Sequence, residues 1–194
     1  MMHTPTPLFP VEKCRLLRAR LNLSVSVSPV SSRSRLSFHT ESRYSNASID
    51  AAGGALLSNI DKDVLIVKLE DGEDIHETLT EACNSHGIKY GWVYGGIGIL
   101  RSFTLGYFTG KEYIKKYFQA PHELLSLAGS VTLNTEVPIH LHCSVSSREF
   151  KVFGGHLFKG TTNVLNEILI KRFKGIELGR KISPITGYYE LDIK

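Results

Sequence analysis

From residue 63 onward the sequence offers one amphipathic helical period followed by a train of short apolar, β-branched runs, and this pattern confines the chain to an α+β fold. Asp63-Val-Leu-Ile-Val-Lys-Leu69 has the composition of a strand, and Glu70-Asp-Gly-Glu73 supplies turn chemistry after it. Asp74 is placed to cap a helix running to about His86. Within that helix Ile75, Leu79, Ala82 and Cys83 recur at helical spacing, and Gly87 follows as a good stop. Strand signals then take over. Trp92-Val-Tyr-Gly-Gly-Ile-Gly-Ile-Leu100 is apolar and punctuated by glycine, which predicts a buried strand with a bulge or a close backbone contact. Further strands are expected over 103–108, 112–118, 123–133, 139–145 and 151–153. Residues 187–193 alternate cleanly and are expected to close the sheet. The segment 162–173 reads as helix by spacing and as strand by β-branched content, and periodicity leaves the choice open.

The first 48 residues are different. They carry six arginines, about ten serines and only two acids, and Lys13-Cys-Arg-Leu-Leu-Arg-Ala-Arg-Leu21 can form a short basic amphipathic helix. This composition reads as a transit leader, mitochondrial rather than plastid, with cytoplasm as the alternative if it is only a disordered tail. Arg43-Tyr44-Ser45 resembles a matrix-peptidase site. Residues 49–61, with Gly53-Gly54 and no sustained period, read as a linker to a domain spanning 62–194. No window approaches the ~20 apolar residues needed to cross a bilayer as a helix, so no membrane partner is expected.

Charge follows the same boundary. Residues 1–50 hold seven Lys/Arg against three acids (7 − 3 = +4), and residues 51–194 hold sixteen of each, so the whole excess lies in the leader. A domain that grips nucleic acid usually needs a basic face to neutralise phosphates, and a neutral domain removes that argument. Cys14, Cys83 and Cys143 are few, odd in number and without C-x-x-C spacing, which predicts no disulfide framework.

The chemistry is concentrated in histidines. His140 and His142 lie two apart in a predicted strand, so both imidazoles project from one face with Cβ atoms about 7 Å apart, a span two histidines can close onto one ion. His156 follows Gly154-Gly155, a pair that lets the backbone approach a neighbouring strand, and residues 146–150 suit a hairpin that brings 142 and 156 together. Three neutral imidazoles with an open fourth position suit an exchangeable or reactive Zn2+ rather than a sealed structural one. Glu123 is the candidate outer ligand or general base. His76 and His86 are expected to face water at the helix, and His122 is left undecided. The glycines at 91, 95, 96 and 98 fit neither a dinucleotide fingerprint nor a Walker loop.

Together with Glu123-Leu-Leu-Ser-Leu-Ala-Gly-Ser-Val131, the 92–108 run, His140-Leu-His142 and Gly154-Gly-His-Leu157 resemble the plants-and-prokaryotes conserved (PPC, also PCC) domain over roughly residues 62–194. The resemblance implies an antiparallel sheet of about six to eight strands flanked by one or two helices, assembled as a homotrimer, with strand for much of 162–173. Plant members couple this domain to AT-hooks and regulate DNA. This chain has no Arg-Gly-Arg-Pro hook, and Gly179-Arg180-Lys181 is a poor substitute. It resembles the single-domain branch that keeps the three histidines and binds metal. The expected function is therefore a trimeric zinc-binding domain with a regulatory or DNA-related role and possible protein partners. The alternative is a zinc-dependent hydrolase or lyase acting on a small molecule, and a third reading is a purely structural trimer.

Overall fold

In the computed structural model, residues 48–49 and 55–194 are described. The transit helix, Cys14, the Arg43-Tyr44-Ser45 site and Gly53-Gly54 lie outside them. The described residues make one compact unit.

The elements run β1 (Ser48–Ile49), β2 (Ala55–Asp61), β3 (Val64–Glu70), α1 (Ile75–Ser85), β4 (Tyr90–Phe108), β5 (Tyr113–Phe118), β6 (His122–Thr132), β7 (Ile139–Ser146), β8 (Val152–Arg172), β9 (Leu178–Ile182) and β10 (Tyr189–Ile193). Eight of these strands form an antiparallel sheet in the order β1-β2-β3-β8-β7-β6-β4-β5. An additional β8–β4 ladder closes β8, β7, β6 and β4 into a ring. One helix, α1, is present among the described residues. Its cap is the expected one, with Asp74 Oδ1 accepting from the backbone N–H groups of His76 and Glu77, and Gly87 turns the chain out at φ +63°.

Two long bent strands account for several short runs in the sequence. The runs over 92–100 and 103–108 are one 19-residue strand, β4, whose ladder to β8 shifts register near Gly95, Gly98 and Thr104. These shifts are β-bulges, and they let one strand serve both ends of the ring. Residues 162–172 are strand, the C-terminal half of the 21-residue β8, as the resemblance implied for much of this segment. Inward residues of β3, β4, β7 and β8 and the apolar stripe of α1 share one core, where Leu65, Leu79, Leu141, Leu157 and Ile168 are fully buried. Cys83 is buried in it as expected, and burial pushes its thiol up to about 12.

Two expectations need correction. The segment read as a linker contains β2, which pairs with β3 from Leu57↔Lys68 to Asp61↔Val64 and buries Leu56. Its own sequence is weakly patterned, and the neighbouring strand decides its state. Residues 187–193 form a strand but do not close the main sheet: β10 pairs only with β9, in a separate two-stranded ribbon. Alternation reports that a strand has two different faces, and says nothing of which strand it will pair with.

Candidate metal centre

Strand β7 alternates strictly over its inner positions. Ile139, Leu141, Cys143 and Val145 point into the core, which turns His140 and His142 to the outer face. A turn closed by Ser147 N–H→Lys151 O and Phe150 N–H→Ser147 O returns the chain as β8, in a register that sets His156 directly opposite His142. The hairpin expected over 146–150 therefore does bring 142 and 156 together. The glycines before His156 allow the close approach: a Cβ on Gly155 (φ +156°) would sit 2.5 Å from the carbonyl oxygen of Gly106 on β4.

The result is a compact group of three imidazoles. One ring nitrogen from each of His140, His142 and His156 lies within 4.8 Å of the others, and His140 Nε2 is 3.1 Å from His156 Nδ1. Tetrahedral zinc with Zn–N bonds of ~2.0–2.1 Å wants nitrogens about 3.3 Å apart. The donor chemistry fits as well. Burial foremost, then the neighbouring imidazoles and the cations Arg180 and Lys115, push His140 and His156 down to about 4, and burial lowers His142. All three are neutral at pH 7 and able to donate a lone pair. Cys143 points to the core face with its thiol raised to about 12 by burial, so it supplies no thiolate.

Other sequence candidates fall elsewhere. Glu123 is exposed and pairs with Ser146, four positions along β7 from His142, about 13 Å by strand rise. His122 donates its Nδ1–H to Ala120 O and packs edge-on to Phe103 and Phe118, a structural role. His86 bonds Ser58 Oγ through Nε2. His76, expected to be wet, is half-buried: burial lowers its pKa, opposed by Asp74 and by a hydrogen bond to the backbone of Leu157, the residue after His156.

An open pocket of about 530 Å³ stands over His140 and His156. Sequence reading missed its walls, because they arrive from three distant segments. Tyr113 comes from β5, Phe158 from β8, and Arg180, Tyr188 and Tyr189 from the β9–β10 ribbon.

A model of the Plants and Prokaryotes Conserved (PCC) domain matches residues 34–174. The chain belongs to the PCC domain family. The match begins upstream of the stretch that carried the resemblance and ends before the β9–β10 ribbon. Among solved structures, a PPC protein from Pyrococcus horikoshii is 30% identical with a TM-score of 0.60, covering 69% of this chain and 94% of its own. A metal-containing protein from Archaeoglobus fulgidus is 27% identical (TM-score 0.60; 70% and 96% covered). A candidate DNA-binding protein from Bacteroides thetaiotaomicron is 26% identical (TM-score 0.64; 71% and 96% covered). Among curated proteins, the bifunctional protein GlmU of Synechococcus is 27% identical over 130 residues, 66% of this PCC chain but 20% of that protein's length.

The depressed imidazoles make a pH prediction for the metal-free PCC protein. A histidine that resists protonation when folded, but not when unfolded, leaves the unfolded chain binding more protons. Stability is then complete above the ordinary imidazole value of 6.5 and drains as pH falls toward about 4. Two such groups, discounted for their partial exposure, are worth on the order of 3 kcal/mol. Urea unfolding in chelator at pH 7, 5.5 and 4 should show that loss, with zinc opposing it at the upper end. A flat profile would show that the triad is not desolvated in the folded state.

Proposed function

We propose that this PCC-domain chain is a zinc-binding homotrimer, in which His140, His142 and His156 hold the ion at the floor of an aromatic-walled pocket, and that it acts by binding rather than by gripping DNA directly. The observation that carries the reading is the convergence of three neutral imidazoles, with an open pocket above two of them. When bound, zinc would supply a Lewis-acidic position facing the pocket. The metal-containing relative from Archaeoglobus fulgidus supports the assignment.

Self-association is supported by an apolar outer face on β3–β8–β4. Ile66, Trp92, Tyr94 and Ile97 are each at least 40% exposed there, and large apolar side chains gathered on one outer face are the kind of surface that associates. A DNA-related role, suggested by the Bacteroides relative's name, would run through partners, since residues 51–194 carry no net charge. The hydrolase or lyase reading keeps one favourable feature, the pocket itself, but Glu123 is too far along the sheet to serve as its base.

Elemental analysis and light scattering on the same purified sample test the proposal. About one zinc per chain in a particle of three chains is the expected result. A metal-free particle that stays metal-free after zinc dialysis would overturn the assignment.

A further inference from the structure

We propose that the pocket over the triad is a binding site for a small organic anion with a planar apolar body, an aromatic carboxylate, whose charged group pairs with Arg180. The site shares its floor with the metal centre but rests on Arg180 and the aromatic walls, so it stands in the metal-free protein as well.

The first argument is an unneutralised cation held in a fixed place. Arg180 is half-buried, and burial lowers its pKa, so its charge is poorly solvated. It has no carboxylate partner among the described residues. Its fixed contacts are all neutral: Nη2 donates to Ser130 Oγ (2.7 Å), and Nε to Thr132 Oγ1 (3.1 Å) and to Val137 O (3.4 Å). Those bonds pin β9 against β6 and leave Nη1 without an acceptor among the described residues. Taking a cation out of water without a counter-ion is costly, and a ligand carboxylate would supply the missing charge with bidentate geometry. Arg180 acts electrostatically on His140, and Lys115 does the same on His156, so both cations stand beside the pocket floor. Lys115 lies 4.1 Å over the Phe158 ring, with no carboxylate partner among the described residues. Glu112 is the single acid on the lining, and it is exposed.

The second argument is the shape of the apolar part. Tyr113 stands perpendicular to both Phe158 (5.1 Å between centroids) and Tyr188 (5.6 Å), and the His156 ring lies 4.2 Å from Phe158. Upright aromatic faces of this kind favour a flat ring, and the volume of about 530 Å³ suits a small molecule rather than a bare ion. Inorganic phosphate would satisfy Arg180 and leave those walls wet. The wall residues Tyr188 and Tyr189, and Arg180 itself, lie beyond the 34–174 stretch that defines the family match, so the ligand preference is written in this chain's own C-terminal ribbon.

The test is calorimetric titration of the full chain in chelator with three probes: benzoate, its cationic counterpart benzylamine, and inorganic phosphate. Saturable benzoate binding is expected, tighter than phosphate, with none for benzylamine. Arg180→Gln should weaken benzoate roughly 10- to 100-fold, the effect of losing one charge-assisted pair. Because that variant also loses bonds to β6, the wild-type protein provides an independent readout: benzoate should shift the ring resonances of Tyr113 and Phe158. Equal binding of benzylamine, phosphate binding tighter than benzoate, unmoved ring resonances, or unchanged affinity in a folded Arg180→Gln protein would each overturn the proposal. Working in chelator separates this result from the zinc assignment, which can fail by itself.

Discussion

Truncating His140 to alanine is expected to weaken zinc binding by roughly two to three orders of magnitude. Zinc held by four ligands is worth about 10–16 kcal/mol in small folded sites, so one ligand accounts for about 3–4 kcal/mol, and each 1.4 kcal/mol is tenfold. His140 is the natural choice for truncation. Its Nε2 makes the 3.1 Å approach to His156 Nδ1, and its ring is half-buried where that of His142 is exposed. Without it, His142 and His156 remain as a two-nitrogen pair facing water. Competition against a chromogenic chelator at pH 7 measures the change. Glu123→Gln is the control and should leave affinity within about twofold, because Glu123 pairs with Ser146 and not near the triad. The metal-free His140→Ala protein should also lose less stability on acidification than its parent, since a base that resists protonation has been removed. Wild-type zinc affinity in His140→Ala would mean that the ion sits elsewhere.

The convergence of the three imidazoles was legible in the sequence because each step toward it is local. H-x-H in a strand fixes a common face, a short polar turn fixes the return, and Gly154-Gly155 allows a close approach to a neighbouring strand. Each of these is set by residues within 17 positions of one another. The pocket was not legible, because Arg180 reaches Ser130 and Thr132 across about fifty residues through the packing of β9 on β6. In the sequence, Gly179-Arg180-Lys181 is only a basic tripeptide, and Tyr188-Tyr189 only the start of an alternating run. The same contrast explains the fold. Helix α1 carries its cap, its stripe and its stop in 14 consecutive residues from Asp74 to Gly87, and the structure keeps all three. Strand β2 carries almost no pattern and becomes a strand because β3 offers it an edge. His76 looks like a solvent-facing helix residue until the helix is laid on β8, where its ring meets the backbone of Leu157.

Gly129→Ala is expected to be the most damaging single methyl in the domain, costing more than about 4 kcal/mol or preventing folding. A Cβ at Gly129 would sit 1.8 Å from the carbonyl oxygen of His140, 2.8 Å from its carbonyl carbon and 3.0 Å from Leu141 Cα. These are backbone atoms of the adjacent strand, so no rotamer change relieves the overlap, and β6 or β7 must move as a whole. The move cannot be confined to the sheet, because the obstructing carbonyl belongs to His140, a member of the imidazole triad. Displacing it displaces His140 from His156, so zinc affinity should fall along with stability. Thermal melts should show a drop of roughly 10 °C or more for a chain of this size. Gly175→Ala is the matched control: its Cβ would meet nothing within 4 Å, and it should stay within about 0.5 kcal/mol of the parent. A folded Gly129→Ala protein with parental stability would mean that β6 and β7 are not paired in the Gly129↔Leu141 register. The outward projection of both β7 histidines depends on that register, since a slip of one residue would turn them into the core.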